Sequence, residues 1–315
     1  MFSVIIPLYN KAEYVEKAID SVFSQTYQEF ELIVVNDGSK DNGLQIVQDL
    51  NEKKYNNKIT IVSQKNSGVS TARNNGISLA SRDYICFLDA DDWWEPTFLE
   101  EMRVLINKYP QAGIYGCNYY IVKHNGKRIA PVGVNADFQD GIINYFQVYA
   151  KTICMPLWTG AVVIPAHILK EEFTFNPKLK LGEDFDLWVR IAFKYPVVFY
   201  NKPLSNYNQD VEIKNRAVGG KLYEPDEHML FTNYGNMVEN TDFKYLIDRL
   251  SIYSLYPYYL SGKNDEKVKE ILSNIKWEEH DFKYRFQYRI MPKPFLRTWF
   301  TLLKKGAEMK RKLFS

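Results

Sequence analysis

An α/β fold is predicted, with a mixed, mostly parallel sheet flanked by helices and a helical C-terminal extension. Three observations predict it. Short β-rich runs alternate with helical patterns through the first half of the 315 residues, as in strand–helix–strand units built around a parallel sheet. Polar and turn-forming residues fall just after the strand candidates. From about residue 222 the pattern is helical to the end.

The first strand candidates are Val4-Ile5-Ile6, Leu32-Ile33-Val34-Val35, Ile59-Thr60-Ile61-Val62 and the run from Tyr84 to Leu88. Between them Val15, Ala18, Ile19, Val22 and Phe23 recur at helical spacing, as do Ile46, Val47 and Leu50. Beyond residue 112 the alternation loosens. Ile114 to Tyr119 reads as a strand, with a hairpin at Asn125-Gly126 that extends the sheet. In the helical region Tyr245, Leu246, Leu250, Tyr253 and Leu255 are the expected inward positions.

Composition bounds the function. A hydrophobic content of 46% is ample for a core. The 23 Tyr suit a stacking surface for sugars or bases and equally a packed core, the reading taken for most of them. Cys86, Cys117 and Cys154 are widely spaced and read as reduced core residues. The scattered histidines give little support to a His-based metal centre or a Ser/His/Asp triad. Met1-Phe2-Ser3-Val4 enters a strand with no basic leader, and no apolar run approaches the roughly 18 residues of a membrane span, so a cytoplasmic chain is expected. The net charge of +2 hides an asymmetry. Residues 283 to 315 hold ten Lys or Arg against one acid, leaving 30 basic against 37 acidic on the rest.

Polar groups converge from four strand ends: Tyr9-Asn10, Asp37, Asn66 to Ser70, and Asp89 to Asp92. In an open α/β sheet that edge is where ligands bind. Asp89-Ala90-Asp91-Asp92 sets three mutually repelling carboxylates in four residues. The repulsion is tolerable where a cation joins them, and hard oxygen ligands select Mg²⁺ or Mn²⁺. A solvated cap after a strand is the alternative. Neither a Gly-x-Gly-x-x-Gly after the first strand nor a Gly-x-x-x-x-Gly-Lys-Ser is present, which argues against a dinucleotide oxidoreductase or a P-loop nucleotidase.

The run Ser3 to Asn10, the turn Val35-Asn36-Asp37-Gly38-Ser39, the segment Asn66 to Asn74, the Asp89 cluster and Gly182-Glu183-Asp184-Phe185-Asp186-Leu187-Trp188 together resemble the family 2 inverting glycosyltransferases, in that family's order and spacing. The resemblance covers roughly residues 1 to 205 and implies the GT-A fold. It divides the chain into a catalytic domain, 1–221, and a helical region, 222–315. Within the first, 1–111 is the nucleotide-binding half and 112–221 the acceptor-binding half.

The resemblance assigns Pro7, Tyr9, Asp37, Asn66, Gly68, Arg73, Asp89 and Asp91 to the nucleotide-sugar donor. Asp37 can accept the imino proton of a uracil or act as a turn cap, and Tyr9 offers a ring for stacking or packs in the core. Arg73 and Asn66 lie near a helix start that favours anions, while Arg73 could equally hold the Asp37 turn through an ion pair. Asp91 is the expected direct ligand of Mg²⁺ or Mn²⁺, with Asp89 toward the ribose and the metal's waters. Asp92 is expected to cap a helix. By its match to the second acidic motif, Asp184 is the general base that takes the acceptor proton. Asp186 is assigned to a helix-surface ion pair with Arg190. Trp158, Thr159 and Glu183 are expected at the acceptor. Tyr207 and Arg216, in a polar segment after Pro203, are expected near the diphosphate.

The implied reaction is transfer of a sugar to a hydroxyl of a glycan or lipid-linked acceptor in envelope-polysaccharide synthesis. The competing reading is a degenerate transferase kept as a nucleotide- or glycan-binding subunit; Asp37, Asp91 and Asp184 argue against it. The tail 283–315, in particular 294–314, carries Leu296, Trp299, Phe300 and Leu303 at helical spacing among basic residues. It is expected to lie on an anionic membrane, on the inner face of the plasma membrane. Packing on protein is the alternative. Nucleic acid is disfavoured as a partner because the remaining surface is net acidic.

Overall fold

The structure is a computed structural model that describes residues 1–211, 222–296 and 298. The chain divides into two compact units, Met1–Thr232 and Asn233–Ser315.

The first unit is built on one mixed sheet. β1 (Phe2–Leu8), β2 (Phe30–Asn36), β3 (Ile59–Ser63) and β4 (Tyr84–Phe87) pair in parallel, in the order β3-β2-β1-β4. Their crossovers are α1 (Val15–Phe23), α2 (Gly43–Lys53) and α3 (Val69–Leu79). Val4, Ile5, Ile6, Val34, Val35, Ile85 and Phe87 are buried to within 1%. These strands therefore read as unbroken apolar runs, as strands covered on both faces do. Gly76 shows how tightly α3 is seated: a Cβ there would meet Ile5 Cγ2 at 2.4 Å.

Past β4 the sheet continues through β9 (Val162–Pro165), β6 (Ile114–Lys123), β10 (Val197–Asn208) and β5 (Trp93–Trp94). β9 runs antiparallel to both β4 and β6, and β10 is parallel to β6. β7 (Gly126–Ile129) closes the expected hairpin on β6, and β8 (Asp140–Ile143) adds to β10. α4 (Phe98–Lys108), α5 (Tyr145–Thr152) and α6 (Glu183–Ala192) complete the unit. Because β1 to β4 are parallel, the segments after them share one edge of the sheet.

Two expectations are corrected, for Asp92 and Asp186. Asp92 caps no helix: the chain enters the short strand β5, and α4 begins later behind Thr97. Tyr207, expected near the diphosphate, lies on β10. Asp186 does pair with Arg190, at 2.8 Å, but is 5% exposed, so the pair is half inside the fold rather than on a helix surface. Arg216 lies outside the described residues.

The second unit contains α7 (Thr241–Ser254), α8 (Tyr256–Ser261), α9 (Asp265–Ser273) and α10 (Phe282–Arg289). Leu246, Leu250 and Leu255 are buried as expected, whereas Tyr245 is half-buried and Tyr253 is 45% exposed. A tyrosine on an amphipathic helix keeps its hydroxyl toward water. Leu296, expected on a membrane-facing stripe, is fully buried in protein, and its carbonyl accepts from Tyr256 Oη at 3.4 Å. Arg297, Trp299, Phe300 and Leu303 lie outside the described residues. Among those described, no helix is long and apolar enough to cross a membrane.

Candidate active site

At the end of β1, Pro7 is half-buried and Tyr9 presents its ring, 41% exposed. Asn10 takes φ 51°, a left-handed conformation that Asn tolerates better than other side-chain-bearing residues, and its Oδ1 accepts from Lys40 N at 2.8 Å. The chain turns back here toward the ends of β2 and β4.

Asp37 follows β2 and is 3% exposed. Its Oδ1 accepts from Gln64 Nε2 and Ser67 N, both at 2.8 Å, and its Oδ2 from Gly68 N at 2.9 Å. Three of roughly four lone-pair positions are thus occupied in holding the loop ahead of α3. One position on Oδ2 is left for a ligand donor. Asn66 and Gly68 lie exposed on that loop.

Arg73 does not hold the Asp37 turn through an ion pair. It is 3% exposed, and its guanidinium joins Asp89 Oδ1 at 2.8 Å to Glu183 Oε1 at 3.0 Å. Burial opposes its charge, but Asp89 and Glu183 more than offset that and hold it protonated. One cation thereby ties together acidic segments almost a hundred residues apart.

The three carboxylates after β4 fan out rather than converge. Asp89 goes to Arg73. Asp91 Oδ2 takes an ion pair from Lys11 Nζ at 2.5 Å, both side chains largely buried. Asp92 Oδ2 accepts from Trp158 Nε1 at 3.0 Å and its Oδ1 from Asn208 N at 2.8 Å. Burial raises the Asp91 carboxyl above its ordinary range against the pull of Lys11. It raises Asp92 further, and repulsion from Asp91 and Asp89 adds to the effect. Lys11 was not singled out from the sequence. Its signal was a cation two residues beyond Tyr9, on the same sheet edge as the acidic turn.

Glu183 and Asp184 open α6 behind Gly182, whose φ of 81° and close approach to Met229 leave no room for a Cβ. Burial, then the charge of Asp184, push Glu183 up to about 7. Asp184 is also raised by burial, against Arg73. Its Oδ2 accepts from Thr159 Oγ1 at 3.0 Å and its Oδ1 from Phe185 N at 2.7 Å. Trp158, next to Thr159, packs on Tyr207 with ring centroids 3.8 Å apart and planes tilted by 32°. A second bridge results, running from Asp92 through Trp158-Thr159 to Asp184.

Asp89, Asp91, Asp92, Glu183 and Asp184 are opposed here by Arg73 and Lys11, so the edge carries an acidic excess suited to a cation. Among the described residues, no three His, Cys, Asp or Glu side chains converge to hold a metal on protein ligands alone. Asp89 and Asp91 offer hard oxygens, and Mg²⁺ or Mn²⁺ commonly binds through one or two carboxylates with waters and substrate phosphates. The residues fit an ion whose coordination a diphosphate completes.

A family model, Glycosyl transferase family 2, matches residues 3–153. An uncharacterized glycosyltransferase of Rickettsia felis is 31% identical over 230 residues, spanning 68% of this chain but only 37% of that longer protein. The putative glycosyltransferase EpsH of Bacillus subtilis is 34% identical over 244 residues, 76% of this chain and 69% of EpsH. Residues 1–349 of S. aureus TarS, solved in complex with UDP-GlcNAc, superpose with a TM-score of 0.68 at 18% identity, covering 88% of this chain and 80% of that one. The mixed sheet with its flanking helices is the GT-A fold. With this fold, these motifs and EpsH aligned over most of its length, the chain belongs to glycosyl transferase family 2.

Proposed function

We propose that this chain is an inverting glycosyltransferase that moves a hexosyl or N-acetylhexosaminyl group from a UDP-sugar to a hydroxyl of a glycan or lipid-linked acceptor in cell-envelope polysaccharide synthesis. The observation that carries it is the Arg73 bridge, which sets the donor-side carboxylate Asp89 beside the α6 carboxylates Glu183 and Asp184. The UDP-GlcNAc held by TarS supports a UDP donor.

In this reading Tyr9 flanks the base, while Pro7, Asp37, Asn66 and Gly68 line the nucleoside. Asp91 and Asp89 would hold Mg²⁺ or Mn²⁺, which supplies neutralisation of the diphosphate charge. Lys11 gives the same corner a fixed cation. Asp184 takes the proton from the acceptor hydroxyl as its oxygen bonds to the anomeric carbon. The bond from that carbon to the diphosphate breaks on the opposite face, and UDP leaves. Thr159 and the N-terminus of α6 hold the carboxylate in place. Trp158, Thr159 and Glu183 frame the acceptor. Membrane contact through 294–314 rests on residues past Leu296, and would place the enzyme on the inner face of the plasma membrane.

Calorimetry with UDP tests the donor side. Mn²⁺ should tighten UDP binding by about tenfold or more, worth about 1.4 kcal/mol per decade, and EDTA should reverse the gain. Asp91→Ala should abolish the metal dependence while the chain still folds. UDP binding indifferent to Mn²⁺ and EDTA would show that the metal assignment is wrong.

A further inference from the structure

The C-terminal unit holds a cavity of about 240 Å³ between α7 and the start of α10. Tyr245, Arg249 and Tyr253 recur every fourth residue along one face of α7, and His280, Lys283 and Tyr284 close the other side. The sequence suggested only that two of these tyrosines were core positions.

A histidine and an arginine sit against these rings. The His280 side chain is 3% exposed and stacks flat on Tyr245, with centroids 5.0 Å apart and planes 7° apart. Its Nε2 finds no hydrogen-bond partner among the described residues. The Asp248 carboxylate is 3.8 Å away, too far for a hydrogen bond, and already accepts from Lys244 Nζ and Lys276 N. That nitrogen is closed off from solvent beside Asp248, so the ring and not the nitrogen forms the cavity wall. The Arg249 guanidinium lies 6.0 and 5.8 Å from the ring centroids of Tyr245 and Tyr253, donates from Nη2 to Tyr253 Oη at 3.5 Å, and pairs with no carboxylate among the described residues. Asp281 also lines the cavity, but Lys283 takes its charge at 3.0 Å. The walls are aromatic, and the uncompensated charge is positive.

We propose that this cavity binds a phosphate carried on a monosaccharide. A guanidinium fork matches phosphate oxygens in pairs. The tyrosine rings offer faces to a pyranose. The volume lies below the roughly 300 Å³ at which drug-sized pockets begin, so it suits one sugar phosphate unit rather than an oligomer. The site is separate from the donor chemistry above and does not depend on it.

The test is calorimetry of the full chain against glucose 1-phosphate, inorganic phosphate and glucose, with and without excess UDP. Glucose 1-phosphate should bind saturably and unaffected by UDP, inorganic phosphate more weakly, and glucose not at all. Arg249→Gln should weaken the phosphosugar by about tenfold or more, the scale of one lost charge-assisted hydrogen bond, with an unchanged melting curve. Tyr253→Leu should weaken glucose 1-phosphate while sparing inorganic phosphate. Equal binding by Arg249→Gln and wild type, displacement by UDP, or no saturable binding by the wild type would overturn the proposal. So would retention on phosphatidylglycerol vesicles without binding of the soluble phosphosugar, which would mark a lipid headgroup contact instead.

Discussion

Asp184→Asn should lower turnover by about 10²-fold or more, the usual scale for a lost general base, while UDP affinity stays within a few-fold. The substitution keeps the size of the side chain and an oxygen for the Thr159 hydroxyl, which now donates to Asp184 at 3.0 Å. It removes the capacity to take a proton. The pH dependence follows from the same groups. Burial raises Asp184 above the ordinary carboxylate range, and burial with the charge of Asp184 pushes Glu183 up to about 7. The basic form of Asp184 therefore fills as pH rises, and wild-type turnover should climb through a range above that of an ordinary carboxylate before levelling. Glu183→Gln removes one of two repelling carboxyls and should move that rising limb to lower pH. A variant at Asp184 that keeps most of its turnover would show that another residue accepts the proton.

Arg73→Met should cost about 3 kcal/mol of stability, the lower end of what removing one partner of a buried ion pair costs. The lower end applies because Asp89 is 26% exposed and can be partly hydrated, whereas Glu183 is 14% exposed. Methionine fills much of the space, so the loss reads as charge rather than cavity. Protonating Glu183 relieves the uncompensated charge, so the destabilisation should be smaller at pH 5 than at pH 8. Adding Glu183→Gln to Arg73→Met should recover part of it. Urea midpoints across that pH range measure both effects. A loss independent of pH would mean that the Arg73 side chain acts by packing alone.

The parallel half of the fold was legible because β1, β2 and β4, covered on both faces, cannot hide their composition, while the edge strand β3 keeps enough apolar residues to be seen. β1, β2, β3 and β4 each appear as an apolar run ending in a turn. The site was legible as a list of residues and much less as a set of contacts. Sequence spacing places Asp89, Asp91 and Asp92 together, yet the structure gives each a different partner. Those partners lie 16, 80 and 66 residues away, at Arg73, Lys11 and Trp158. The Arg73–Glu183 pair spans 110 residues. Pairing at such separations is set by the packing of α3 on β1 and of α6 on β6, which no local period encodes. β5 escaped notice because a two-residue strand, Trp93–Trp94, has no period. Leu296 was misplaced because an apolar stripe looks the same whether protein or lipid covers it.

The central claim, transfer from a nucleotide-sugar, is tested most directly by incubating the full chain and Mn²⁺ with a panel of nucleotide-sugars and following release of nucleoside diphosphate without an acceptor. A UDP-hexose or UDP-N-acetylhexosamine should be hydrolysed slowly by the wild type, and at least about 10²-fold more slowly by Asp184→Asn. If UDP binds but no member of the panel is turned over, the chain is a nucleotide-binding partner subunit and not a transferase.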